Sequence, residues 1–217
     1  MKIVAAVTAV LLSAVPALAS NDEAAELWLN PSATVDLDDS SSFEFETAQR
    51  LRDSEDGRSD TYFYRAWLNR DVAADVTLSG AIERRVNTDG DADETRVMQQ
   101  VSTSRGIWRT RLRLEQRFVD DADRTGLRLR PRVGLSVPIG ASDRWRFKSD
   151  AELFLTLVST NKGADHGLTA LRTQIGFSYR VSERLTLSAA YLRQQTFDDA
   201  GPDEVGHAPI LGLEYTF

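Results

Sequence analysis

Cysteine is absent from this 217-residue chain, which excludes disulfides, thiolate nucleophiles and cysteine-based metal sites. Histidine is nearly absent: His166 and His207 are the only two, too few for a histidine-rich metal cluster. Beyond residue 19 no apolar run approaches the roughly 20 residues that a membrane-crossing helix requires. Basic residues are outnumbered, 26 against 33 acidic, for a formal net charge of −7, and the sum falls to −8 once Lys2 leaves with the leader described below. That sign argues against general nucleic-acid binding. If the mature chain crosses a membrane, it must do so as a closed barrel, because open strand edges find no hydrogen-bond partners in lipid.

Residues 1–19 carry a secretory signature. Lys2 supplies the positive start, Ile3 to Val15 a short apolar core, and Ala17-Leu18-Ala19 a small-x-small cleavage site before Ser20. The core is too short for an anchor helix, and no cysteine follows the cleavage site to carry a lipid. Residues 20–217 are enough for one domain. Residues 20–41 are expected to form an N-terminal periplasmic segment or an extra short strand, with Trp28 either anchoring at the interface or plugging the periplasmic end. Residues 42–217 are expected to form the barrel.

From Phe43 onwards apolar residues recur at i, i+2 and i+4, the period of a strand and not of a helix. Leu112, Leu114 and Phe118 oppose Arg109, Arg111, Arg113, Glu115 and Arg117. Leu127, Leu129, Val133 and Leu135 oppose Arg128, Arg130 and Arg132. Ala151, Leu153, Leu155 and Leu157 oppose Lys148, Asp150 and Glu152. Around Tyr62–Leu68 the alternation is clear but its facing is open. Long polar connections at 53–60, 87–94, 119–126, 159–169 and 197–208 alternate with short ones at 71–75, 106–108, 140–143 and 181–183. Short periplasmic turns and long outer loops are the habit of outer-membrane barrels. The pattern predicts a closed antiparallel up-and-down transmembrane β-barrel of about ten strands, with both ends on the short-turn side. A strand within residues 24–38 would make the count twelve or place that segment inside.

The chain closes on Leu211, Leu213, Tyr215 and Phe217 along one strand face. An aromatic ending an alternating strand suits a barrel rim, and Leu213, Tyr215 and Phe217 are similar to the sorting signal that Gram-negative barrels show their assembly machinery. The run Arg111-Leu112-Arg113-Leu114-Glu115-Gln116-Arg117-Phe118 is followed by Leu127-Arg128-Leu129-Arg130-Pro131-Arg132 and by Asp150-Ala151-Glu152-Leu153-Phe154. Later come Gly176-Phe177-Ser178-Tyr179 and Ala190-Tyr191-Leu192. Taken together, from about Trp28 to Phe217, these motifs resemble an uncharacterised family of proteobacterial outer-membrane barrels, a domain of unknown function. The resemblance implies a barrel in the outer membrane and brings no catalytic residue with it.

The candidate site is a lumen charge cluster: Arg109, Arg111, Arg113, Glu115, Arg117, Arg128, Arg130, Arg132, Asp150 and Glu152. Facing lipid, each arginine would cost about 2–4 kcal/mol at the midplane, so these are expected to point inward. In a narrow lumen the favoured reading is a packed ion-pair network that holds the barrel shut. The rival is a constricted, anion-favouring path. His166 beside Asp165, and His207 after Asp203 and Glu204, read as solvated loop residues. The acidic stretch Asp89–Glu94 lacks the distal glutamate of a calcium loop. The expected function is thus an outer-membrane barrel with a structural or narrow-channel role, without enzymatic activity, cofactor or metal. The alternatives are an outer-membrane enzyme acting at the extracellular rim on lipid or peptide, and a periplasmic lipocalin-like binding barrel. Expected partners are outer-membrane lipid and lipopolysaccharide, together with the barrel assembly machinery, and no nucleic acid.

Overall fold

The computed structural model describes residues 23–52, 59–88, 90–198 and 201–217. The leader expected at 1–19 lies outside them, as do the loop acids at 53, 55, 56, 89 and 199. Eleven strands run in chain order: β1 (Glu23–Asp38), β2 (Ser41–Arg52), β3 (Thr61–Ala73), β4 (Val76–Asn87), β5 (Glu94–Arg105), β6 (Trp108–Val119), β7 (Gly126–Ile139), β8 (Trp145–Val158), β9 (Gly167–Arg180), β10 (Leu185–Thr196) and β11 (Glu204–Thr216). Each pairs with its sequence neighbours, and β1 pairs with β11 to close the ring. The all-β up-and-down barrel is therefore as expected. Its strand count is eleven, which corrects ten.

The difference lies in residues 23–38. An N-terminal segment or short extra strand was expected there; a strand of 16 residues stands there instead. Pro31 in its middle has no N–H to give a ladder, and this masks the alternation in the sequence. Residues 39–40 then make a turn so tight that Asp38 and Ser41 remain paired across it. A meander with an odd count has first and last strands that run the same way, so closure needs no twelfth strand. β1 and β11 pair in parallel, in constant register from Glu23 against Val205 to Thr34 against Thr216. The two ends accordingly sit on opposite rims, which corrects the expectation that both would share the short-turn side. Residue 23 is at the rim of the long loops, and Phe217 is at the rim of the short turns, where its N–H bonds Thr34 O at 3.0 Å.

Parallel pairing is slightly weaker per residue than antiparallel. Here the seam is backed on its inner side by an apolar cluster of Trp28, Leu192, Ala208 and Ile210 from β1, β10 and β11. Trp28 was expected at the interface or at the short-turn end. It lies inside instead, in the half of the barrel that carries the long loops.

Alternation divides the wall cleanly. Val35, Phe43, Phe45, Tyr64, Leu68, Leu78, Ile82, Val101, Leu112, Val133, Leu153, Ile175, Leu187, Leu211 and Leu213 are exposed on the outside. Glu83, Arg96, Arg113, Glu115, Arg130, Glu152 and Arg172 are buried within. β3 resolves the facing that its sequence leaves open, with Phe63 and Trp67 buried and Tyr64 and Leu68 exposed.

Two inward glycines mark places where neighbouring strands come very close. A Cβ on Gly176 would lie 2.5 Å from Ala190 Cα, and one on Gly212 would strike Ser188 Oγ. Gly176→Val is expected to lower unfolding stability by about 1–3 kcal/mol through overpacking against backbone. Gly80→Ala, where a Cβ meets nothing closer than Met98 O at 4.0 Å, is expected to stay within about 0.5 kcal/mol. Urea midpoints of the two variants in detergent micelles check the pair, and equal midpoints would refute the close-approach argument.

Candidate functional site in the lumen

Period-two alternation places every second residue of each strand inside, and on β2 to β9 many of those residues are charged. Two of the four almost wholly enclosed acids are hubs. Glu115 on β6 is 0% exposed and Glu152 on β8 is 2% exposed. Arg130 on β7 stands between them, donating from Nη1 to Glu115 Oε1 at 2.6 Å and from Nη2 to Glu152 Oε2 at 2.8 Å. Arg128 donates twice to Glu115 Oε2, at 2.8 and 2.6 Å. Arg111 pairs with Glu152. Arg113 and Arg172 approach Glu115 and Glu152 respectively at 3.9 Å.

A second set continues around the wall on β2 to β6. Arg96 on β5 joins Glu83 at 2.8 Å to Glu94 at 2.5 Å. Arg65 on β3 joins Glu83 to Glu46, and Arg117 donates to Glu94 at 2.5 Å. Planar guanidiniums make such two-sided bridges readily because their donors form a rigid fork.

Ring faces take up the positive charge that the carboxylates leave over. Phe154 lies under Arg130, Arg172 and Arg128, with guanidinium carbons 4.3, 4.9 and 5.1 Å from the ring centroid. Arg113 lies 4.8 Å over Trp67. Arg50 lies between Trp28 at 3.9 Å and Phe63 at 4.6 Å. Each contact is worth roughly 0.5–2 kcal/mol, more when desolvated. The result is a plug of guanidiniums, carboxylates and aromatic plates across the half of the barrel nearer the long loops.

The structure brings Arg111, Arg113, Glu115, Arg117, Arg128, Arg130 and Glu152 into this network. Arg132 and Asp150 pair nearer the short turns, where Arg132 also reaches Gln174 at 3.2 Å. Arg109 stands apart and donates to the carbonyls of Gly106 and Trp108 at 2.8 and 2.7 Å. Sequence reasoning missed Arg50, Arg65, Arg96, Glu94 and Arg172, together with the rings of Phe63, Trp67 and Phe154. Their shared inward parity was the available signal.

At the other end of β11, Leu213 and Phe217 face outward and Tyr215 packs edge-on against Phe217 with centroids 5.0 Å apart. His207, expected in a loop, lies on β11, where its Nδ1 shares a 2.5 Å hydrogen bond with the Tyr191 hydroxyl. His166 is exposed in the loop before β9. The loop acids Asp93 and Asp120 both accept from Arg84, at 2.8 and 3.0 Å. Below the plug, two cavities of 360 and 290 Å³ adjoin at Arg132, Lys148 and Asp150.

A family model described as Protein of unknown function (DUF2490) matches residues 25–205. No curated protein matches the chain.

Glu152→Gln removes the charge that holds Arg111 and Arg130 and leaves buried guanidiniums uncompensated. The expected loss is about 3–5 kcal/mol of unfolding stability, read as a lower urea midpoint. Arg109→Gln, which gives up only bonds to exposed carbonyls, is expected to change it by less than about 0.5 kcal/mol.

Proposed function

We propose, for a chain that belongs to this family of unknown function, that it is a bacterial outer-membrane barrel whose role is structural, with a lumen sealed by its own side chains in the half nearer the long loops. The observation that carries the reading is the inversion of the usual order of a folded protein: apolar residues ring the outside while paired charges fill the inside. Monomeric soluble proteins rarely expose contiguous apolar surface beyond a few hundred Å², and here it occurs on strand after strand. Strands of 12 to 16 residues exceed the 9–11 or so that a tilted strand needs to cross a bilayer.

An aromatic band at the short-turn rim supports the same reading. Trp145 packs on Tyr179 with centroids 4.7 Å apart, Phe147 on Phe177 at 5.6 Å, and Trp108 is exposed nearby. Such girdles sit at headgroup level in barrels of this class. On this reading the short turns face the periplasm, the long acidic loops face lipopolysaccharide, and Leu213, Tyr215 and Phe217 address the assembly machinery. The leader at 1–19 accounts for export.

A lipocalin-like binder would keep apolar residues within and charges in water, the reverse of the arrangement here. We assign the protein no enzymatic activity, since His207 is engaged by Tyr191 and His166 stands in an exposed loop. Among the channel readings, the hydrogen-bonded plug favours a closed lumen over an anion path: Arg130 at its centre already holds Glu115 and Glu152.

Two measurements test the proposal. The protein is expected in the outer-membrane fraction, with migration on gels that shifts on heating. In planar bilayers it is expected to give no steady conductance, and Glu115→Ala with Arg130→Ala and Glu152→Ala is expected to open one. Recovery in the soluble periplasmic fraction would overturn the membrane reading, and a stable wild-type conductance would overturn the sealed lumen.

A further inference from the structure

The two cavities below the plug share Arg132, Lys148 and Asp150 and differ beyond them: arginines prevail on the far wall of the larger, where Asp75 is the one acid, and acids on that of the smaller. The larger is bounded by Arg109 and Arg111 on β6 and by Lys148 on β8. The smaller runs to Glu44 and Glu46 on β2 and to Glu214 on β11. In the closed strand order these two sets stand on opposite sides of the ring, so a field crosses the lumen between them.

Several groups on both walls keep unused capacity. Among the described residues Lys148, Glu44 and Glu214 make no ion pair, and Arg109 bonds only main-chain carbonyls. Arg111 Nε, Asp150 Oδ1 and Asn30 Oδ1 are buried around the same cavities without hydrogen-bond partners. Native structures rarely leave such atoms unmet.

We propose that this vestibule binds a small elongated zwitterion, such as a short peptide with free ends. Its carboxylate lies against Lys148 and Arg109, and its ammonium against Glu44 and Glu214. A simple anion would meet the acidic wall unpaired, and a simple cation the basic wall. A neutral solute would leave both walls desolvated without return. Cavities of 360 and 290 Å³ suit a ligand of that size. The inference rests on the inner wall alone and holds whatever surrounds the outer one.

Calorimetric titration of the detergent-folded full chain at low ionic strength tests it with four probes: trialanine, N-acetyl-trialanine, trialanine amide and N-acetyl-trialanine amide. Trialanine is expected to bind, each singly charged peptide about tenfold more weakly, and the doubly blocked one not at all. In Lys148→Gln the advantage of trialanine over its amide should vanish, and in Glu44→Gln its advantage over the acetylated peptide should vanish. Both variants lie outside the plug, and a far-ultraviolet circular dichroism spectrum matching that of the unaltered protein confirms that each is folded. The proposal is overturned if no probe binds, if N-acetyl-trialanine matches trialanine, or if the variants leave these ratios unchanged.

Discussion

A guanidinium shut inside a narrow cylinder gives up its water and must recover that loss from carboxylates and ring faces. The rest of this barrel follows from meeting that demand many times over. Glu83, Glu94, Glu115 and Glu152 are each almost wholly enclosed, and each is approached by at least two arginines. Such bridges tie strands that share no backbone ladder: Arg111 on β6 reaches Glu152 on β8, past β7. They also fix register. A slip of one residue on β6 or β7 would turn Arg113, Glu115 and Arg130 outward and bring their leucines in.

Most of this architecture was legible in the sequence because period two is a strong signal when one face is charged and the other apolar. β6 and β7 announce themselves through Arg-Leu-Arg-Leu runs, and the alternation of long and short connections follows the chain closely. β1 did not announce itself. Its Asn30-Pro31-Ser32 centre breaks the pattern, and its inner face carries Trp28 and small polar groups where the other strands carry arginine. The assumption of an even count then hid the simplest closure, a parallel seam between the first strand and the last.

The site was legible in half. Charges on β6, β7 and β8 were expected inside and are there, pairing largely with one another, but the arginines that Glu83 on β4 gathers from β3 and β5 were not expected as part of the site. Parity says which way a side chain points. It does not say which side chains meet, and Arg65 and Arg96 earn their place through Glu83, which sits between them on β4. Phe154 and Trp67 were harder still, since an aromatic within a charged face reads as an exception until guanidiniums are seen stacked upon it. The vestibule could not be read at all, because it exists where Gly176, Gly212 and small polar residues withhold side chains.

The parallel seam also bears on how the barrel comes to be. Every hairpin pairs strands made one after the other, whereas the seam joins Glu23 to Val205, nearly the whole chain apart. Loop-closure entropy falls on that single joint, and long-range pairing of this kind slows folding. Until β11 arrives, the outer edge of β1 is an open row of amide and carbonyl groups, ready to accept any strand offered to it. Ring closure is therefore expected to come late and slowly in folding, at the stage where a wrong strand, or another chain, can compete for the place of β11.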